Sequence, residues 1–381
     1  MIWLVLGTIV PSLLICFSGA WLVRLFGPPL GLVDRPGGRK IHADTMPTSG
    51  GLAIWLGVVV PFALGQIMLW MIAGRADGAL PGWVPEFAAM HVGGLMQQSG
   101  RLWTLLAGGT VLMLLGLVDD RRGLNWKTRI LIQTFVALVM VLLGWRLSLF
   151  VDMPLMTGAI SVLWIVGLVN SFNMLDNMDG LAAGVAAIAA AMLAVVMLTP
   201  AAETDAPQLF VGGFLLVLVG SLLGFLIHNR PPARIFMGDA GSYLVGYFIA
   251  MATLSATFAG DNVPRHAILA PLCVLAVPLY DTATVIFIRL REGRSPFEGD
   301  KSHFSHRLVE LGMSKTQAVA TIYLTTATCG LGALLLHQVN LFGAAIVLLL
   351  IGCVLLLVAV LETTGLKDSK RRSNKDGDHD D

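Results

Sequence analysis

The chain has 381 residues, 56% of them hydrophobic and only 13% charged, with a mean hydropathy of +0.79. Soluble domains carry about 25% charged residues, so the composition excludes a soluble globular domain and indicates a polytopic integral membrane protein. The net charge of +1 makes no case for nucleic acid, and no nucleic-acid partner is expected.

A helix needs roughly 20 apolar residues to cross the hydrocarbon core. The sequence therefore predicts an all-α protein of about eleven transmembrane helices, near 2–26, 50–73, 102–118, 130–147, 155–170, 181–199, 209–227, 241–258, 266–289, 317–338 and 341–362. The first, "MIWLVLGTIVPSLLICF", has no basic residue before its apolar run and reads as a retained span, not a cleaved signal peptide. Cys16, Cys273, Cys329 and Cys353 lie inside apolar runs without a CxxC pair and read as small hydrophobes. Residues 1–363 read as one transmembrane catalytic domain, and 364–381 as a polar, disordered tail.

Eleven spans place alternate loops on one side. The loops after spans 1, 3, 5, 7 and 9, with the C-terminal tail, hold 21 of the 25 basic residues; Arg75, Arg101, Arg146 and Arg265 fall on the other side. The positive-inside rule then puts the N-terminus outside and the C-terminus in the cytoplasm.

The dense polar clusters all fall in the basic loops. A channel or transporter would place ionisable groups at mid-membrane depth along a path. Convergence on one face suggests instead an enzyme that meets a soluble substrate at the bilayer surface. Asp119 and Asp120 end the third span, the helix end whose dipole disfavours carboxylates. They read as a solvated end neutralised by Arg121 and Arg122, or as a pair of which one is a base, or as two carboxylates sharing a divalent cation. In "NSFNMLDNMDGLAAG", Asp176 and Asp179 could N-cap the sixth span, but two aspartates with Asn170, Asn173 and Asn177 exceed what a cap requires. Such oxygen donors suit Mg²⁺, with Mn²⁺ as the alternative.

"FMGDAGS" sets Asp239 in a glycine-flanked turn before the eighth span. It reads as an N-cap, or as a metal aspartate beside helix N-terminal amides able to bind phosphate. His303 and His306 in "DKSHFSHRL" lack a third close ligand for zinc, and with Lys301 and Arg307 they look like an anion-binding surface. Asp281 lies about eight residues inside the ninth span and needs a cation or a hydrogen-bonded partner; Pro278 could open the helix there.

In order and spacing these loops resemble the polyprenyl-phosphate N-acetylhexosamine-1-phosphate transferases, over residues 1–340. "GLVDRPGGRKIH", containing His42, is similar to that family's first loop. "GLVDDRRGLNWKTRILIQ" resembles its Asp-Asp motif with Lys127 and Gln133. "NSFNMLDNMDGLAAG", "NRPPARIFMGDAGS" and "DKSHFSHRL" resemble its Asp-rich, Gly-Asp-x-Gly-Ser and histidine motifs. Asn177 stands where the family usually has Gly, Ser305 replaces one histidine of His-x-His-His, and Thr48 stands where the hexosamine branch often has Arg. "VPLYDT" and the histidine loop favour that branch over the muramyl-pentapeptide transferases.

The resemblance implies a phosphotransferase of the inner (cytoplasmic) membrane with its site on the cytoplasmic face. A polyprenyl phosphate, undecaprenyl phosphate, would attack a UDP-N-acetylhexosamine, UDP-GlcNAc first, releasing UMP and initiating cell-envelope polysaccharide. A homodimer is compatible with it. It implies Asp119 as base with Asp120 supporting it or the metal, and Asp239 as principal Mg²⁺ ligand with Asp176 near. Asp179 and Asn173 would hold the nucleotide, and Lys127, His303, His306, Arg307 and His42 would contact substrate. A muramyl-pentapeptide donor, and a transporter whose loops only gate, are the alternatives.

Overall fold

The computed structural model describes residues 2–34, 46–73, 91–147, 153–199, 207–256, 264–297 and 302–376. Thirteen α-helices run through them: α1 (Ile2–Phe26), α2 (Gly50–Ala73), α3 (Val92–Arg122), α4 (Trp126–Leu142), α5 (Pro154–Leu175), α6 (Leu181–Leu198), α7 (Leu209–Asn229), α8 (Gly238–Ser255), α9 (Ala270–Val274), α10 (Ala276–Arg291), α11 (Phe304–Glu310), α12 (Lys315–Leu336) and α13 (Leu341–Asp376). A two-residue antiparallel pair, Val33–Asp34 with Met46–Pro47, lies between α1 and α2.

Among the described residues, eight helices are long and apolar enough to cross a membrane, or nine if the bent pair ending in α10 is one span. The chain is an all-α, multi-pass membrane protein. The spans expected near 130–147 and 241–258 correspond to α4 and α8, which fall outside that count. α4 has 17 residues, and α8 opens on the polar "GDAGS".

Three elements differ from expectation. α3 has 31 residues, because "VGGLMQQSGR" continues the helix although it is too polar to register as span. The ninth span is broken by 67° between Val274 and Ala276. Pro278 lacks the N–H that would reach the Val274 carbonyl, and its ring crowds that oxygen, so the helix opens there as its position suggested. α13 runs on to Asp376 with no proline to stop it, so the last helix extends beyond the expected span end at 362.

α8 is the axis of the core: Ala240 through Leu254 are all buried. α2, α3 and α5 pack against it, and two glycines set how closely they approach. A Cβ on Gly116 of α3 would lie 2.3 Å from the Ala240 nitrogen, and one on Gly51 of α2 would lie 2.2 Å from the Gly241 nitrogen. Close packing of small residues is the main attraction between helices in lipid. Here it brings the C-terminal end of α3 against the first turn of α8. Hydrogen bonds from Gly50 N to Phe236 O (3.0 Å) and Phe236 N to Pro47 O (2.8 Å) stitch the start of α2 to the same place.

Candidate active site

The last turn of α3 carries Asp119 and Asp120. Gly123, at φ +64°, ends the helix in the left-handed conformation. Asp119 is buried. Its Oδ1 accepts from the Leu124 amide (2.7 Å), and its Oδ2 accepts from the Tyr243 hydroxyl (2.8 Å) and Arg129 Nη1 (3.1 Å). The charge at the unfavourable helix end is thus met by Arg129. Arg121 and Arg122, expected as neutralisers, are exposed instead.

Asp120 turns the other way and caps α8. Its two oxygens accept from the amides of Asp239 (2.9 Å) and Ala240 (3.2 Å). This corrects the expectation that helix N-terminal amides beside Asp239 are open to phosphate: a carboxylate of the chain already holds two of them. Gly238, at φ +69°, is required in that turn. A Cβ would sit 2.3 Å from the Thr48 carbonyl oxygen and 2.6 Å from Asp120 Oδ2. Asp239 itself is held by Asn173, whose Nδ2 donates to Oδ1 at 2.6 Å and also lies 3.1 Å from Ser242 Oγ.

α5 ends at Leu175, and α6 starts from Gly180, at φ +76°, without a side-chain cap. Neither aspartate of the turn therefore N-caps α6. Asp179 Oδ2 accepts from the Ala233 amide (2.9 Å), tying this turn to the segment between α7 and α8. Asn229 reinforces the tie, accepting from Gly180 N (3.0 Å) and donating to Ile235 O (2.8 Å). Asp176, just past α5, is half-buried. Desolvation, with the Asp239 charge second, pushes its carboxyl up to about 7.

The histidine segment packs on from another side. Asp281 in α10 has the hydrogen-bonded partner its burial demanded. Its Oδ2 lies 2.9 Å from His303 Nδ1, and its Oδ1 accepts from the Phe304 amide at 2.6 Å. The pair orients the His303 ring and caps α11 at once. His306 lies beside it, ring centroids 6.4 Å apart. Arg307, expected at a phosphate, is instead buried and committed to the protein. Its Nε pairs with Glu362 of α13 at 3.1 Å, and its Nη atoms donate to Ser302 O and Thr284 Oγ1. A buried arginine needs such a partner. Lys127 is exposed at the start of α4, its ammonium 5.7 Å from the Trp126 ring centroid, and no hydrogen bond joins it to the carboxylates among the described residues. His42 and Lys301 lie outside the described residues.

The structure therefore gathers Asp119, Asp120, Asp176, Asp179, Asn173 and Asp239 around the first turn of α8. Asp120 feels the charges of Asp239 and Asp176, and Asp176 those of Asp239 and Asp179. Among the described residues the one ion pair in this group is Arg129–Asp119. A surplus of hard oxygen donors without cationic partners fits a divalent cation that keeps waters and substrate phosphates as its other ligands. Among the described residues no three acidic, histidine or cysteine side chains are grouped closely enough to hold a metal ion by themselves.

Sequence reasoning missed Arg129, Tyr243 and Asn229 as parts of this site. Tyr243 carries a usable signal, lying four residues after Asp239 on the same helical face. Asn229 and Arg129 carry none beyond their place in basic loops.

A family model described as "Glycosyl transferase family 4" matches residues 102–257, the stretch from α3 through α8 that carries every carboxylate of the cluster. A Bacillus subtilis protein named "Probable undecaprenyl-phosphate N-acetylglucosaminyl 1-phosphate transferase" is 30% identical over 358 residues, covering 92% of this chain and 89% of its own. A Mycobacterium tuberculosis "Decaprenyl-phosphate N-acetylglucosaminephosphotransferase" is 34% identical, covering 82% of this chain and 77% of its own. An Escherichia coli "Undecaprenyl-phosphate alpha-N-acetylglucosaminyl 1-phosphate transferase" is 27% identical, covering 81% and 77%.

Proposed function

The chain belongs to glycosyl transferase family 4, and from that membership we propose that it transfers N-acetylglucosamine 1-phosphate from UDP-GlcNAc to a polyprenyl phosphate, releasing UMP. The observation that carries the reading is the carboxylate cluster at the first turn of α8, with a single arginine against five aspartates. Phosphoryl transfer asks mainly for positioning and for neutralisation of phosphate charge. Asp239 and Asp176 would hold Mg²⁺, with Asp120 behind them. The bound ion would supply charge neutralisation on the donor diphosphate.

The chain's own groups then divide the remaining work. Asp119, fixed by Arg129, Tyr243 and the Leu124 amide, faces Asp239 and would orient or deprotonate the acceptor phosphate. Asn173 holds Asp239 in place, and Asp179 anchors the turn that would flank the nucleotide. His303, aimed by Asp281, with His306 and Lys127, would meet substrate phosphates. Arg307, paired with Glu362, is read instead as the support of the histidine segment. The asymmetry of basic residues favours the cytoplasmic face of the inner membrane for the site.

Purified protein given UDP-GlcNAc, undecaprenyl phosphate and Mg²⁺ is expected to release UMP. No UMP from any UDP-amino sugar overturns the reading. The names of the three relatives all point to N-acetylglucosamine, so a muramyl-pentapeptide donor is expected to give no product.

A further inference from the structure

α3 has a second functional face. A cavity of roughly 650 Å³ lies along it, lined by Leu114, Leu117, Val118, Arg121 and Arg122 and closed by the Pro29–Leu32 turn after α1. Leu114, Leu117, Val118 and Arg121 are spaced i, i+3, i+4, i+7, which puts them in one stripe. Leu112, Gly116 and Asp119, buried toward the core, lie on the other side of the helix. Leu114 is 52% and Val118 42% exposed, so the stripe faces the membrane and not another helix.

The stripe ends in two exposed guanidiniums. Neither Arg121 nor Arg122 makes an ion pair or hydrogen bond among the described residues, whereas Arg129, in the first turn of α4, is paired with Asp119. An apolar trough ending in two uncompensated cations at the edge of the membrane matches one chemistry, an apolar chain carrying an anionic head. We propose that this groove binds an anionic phospholipid, its phosphodiester on Arg121 and Arg122 and an acyl chain along Leu114, Leu117 and Val118. The occupant is not the transfer acceptor, because the groove opens on the side of α3 turned away from Asp119. The bound lipid braces the last turn of α3 and so the two aspartates on it. The inference stands whether or not the transfer reading does.

The test is retention of lipid by the full-length protein taken from vesicles of phosphatidylcholine mixed with phosphatidylglycerol, read by native mass spectrometry. At about 1 kcal/mol per arginine, a preference for phosphatidylglycerol of roughly 30-fold is expected. Arg121→Gln with Arg122→Gln should abolish it, while Arg230→Gln with Arg234→Gln, an equal change of charge elsewhere, should not. A phosphatidylglycerol bearing a photoreactive group in its acyl chain should label 114–118. Equal retention of the two lipids, equal loss in the two double variants, or labelling confined to other helices each overturns the proposal.

Discussion

Ser305 donates a 2.5 Å hydrogen bond to Asn177 Oδ1, joining two segments 128 residues apart in the chain. Both are positions at which the sequence departs from the motifs it resembles, and here the two touch. Asn177 also donates to the Met174 carbonyl at 2.9 Å, so its side chain pins the end of α5 and the start of α11 to each other. The aspartate turn and the histidine segment thereby become one wall. Asn177→Gly and Ser305→Ala should each cost about 1 kcal/mol, and the double variant no more than either alone. Thermal unfolding in detergent, with turnover measured alongside, gives the cycle; additive losses would show that the pair is uncoupled.

Asp239→Asn is expected to abolish turnover with little change in Tm, since the amide oxygen still accepts from Asn173. Asp119→Asn should abolish turnover and also lower Tm, because it leaves the half-buried Arg129 without its counter-charge, a loss of about 1.5–3 kcal/mol for a hydrogen bond to a charged group. Tyr243→Phe, which removes one donor to Asp119, should lose about 1 kcal/mol and keep most activity. Near wild-type rates in Asp239→Asn or Asp119→Asn would show that the role given to that residue is wrong.

Asp281→Ala strands the Phe304 amide and His303 Nδ1, each worth about 1–3 kcal/mol when buried without a partner. Tm should fall steeply and activity with it. Asp281→Asn retains one acceptor oxygen and should fall less. A rise in stability in Asp281→Ala, as for a carboxylate kept only for catalysis, would contradict the structural role.

Arg307→Met alone should be poorly stable, since it leaves Glu362 unpaired, and Glu362→Leu alone likewise. The double variant replaces a buried pair by apolar side chains, which is often neutral or better. Recovery of Tm and of UMP release together identifies Arg307 as support. Recovery of Tm with KM for UDP-GlcNAc still raised would return Arg307 to the phosphates.

The sequence showed where polar groups cluster, because apolar spans make any dense run of aspartate, asparagine and histidine conspicuous. It could not show which partner each group takes. Asp281 finds His303, Arg307 finds Glu362 and Asp119 finds Arg129 through the packing of different elements, and hydropathy carries no such pairing. The capping of α8 by Asp120 was hidden for the same reason: caps are read from neighbours in sequence, and this one comes from another helix. The break at Val274–Ala276 was legible, since proline acts locally. The polar start of α3 was not, because a hydropathy window registers lipid-facing length and α3 extends beyond it.

The enclosure of α8 has an evolutionary consequence. Its first turn carries Asp239 and its remaining length is buried on every side, so the residues that hold the chemistry and those that hold the core belong to a single 18-residue segment. A substitution there is tested by catalysis and by packing at the same moment, and few will pass both. Divergence toward a different sugar or lipid has to be recruited from the ends of the surrounding helices.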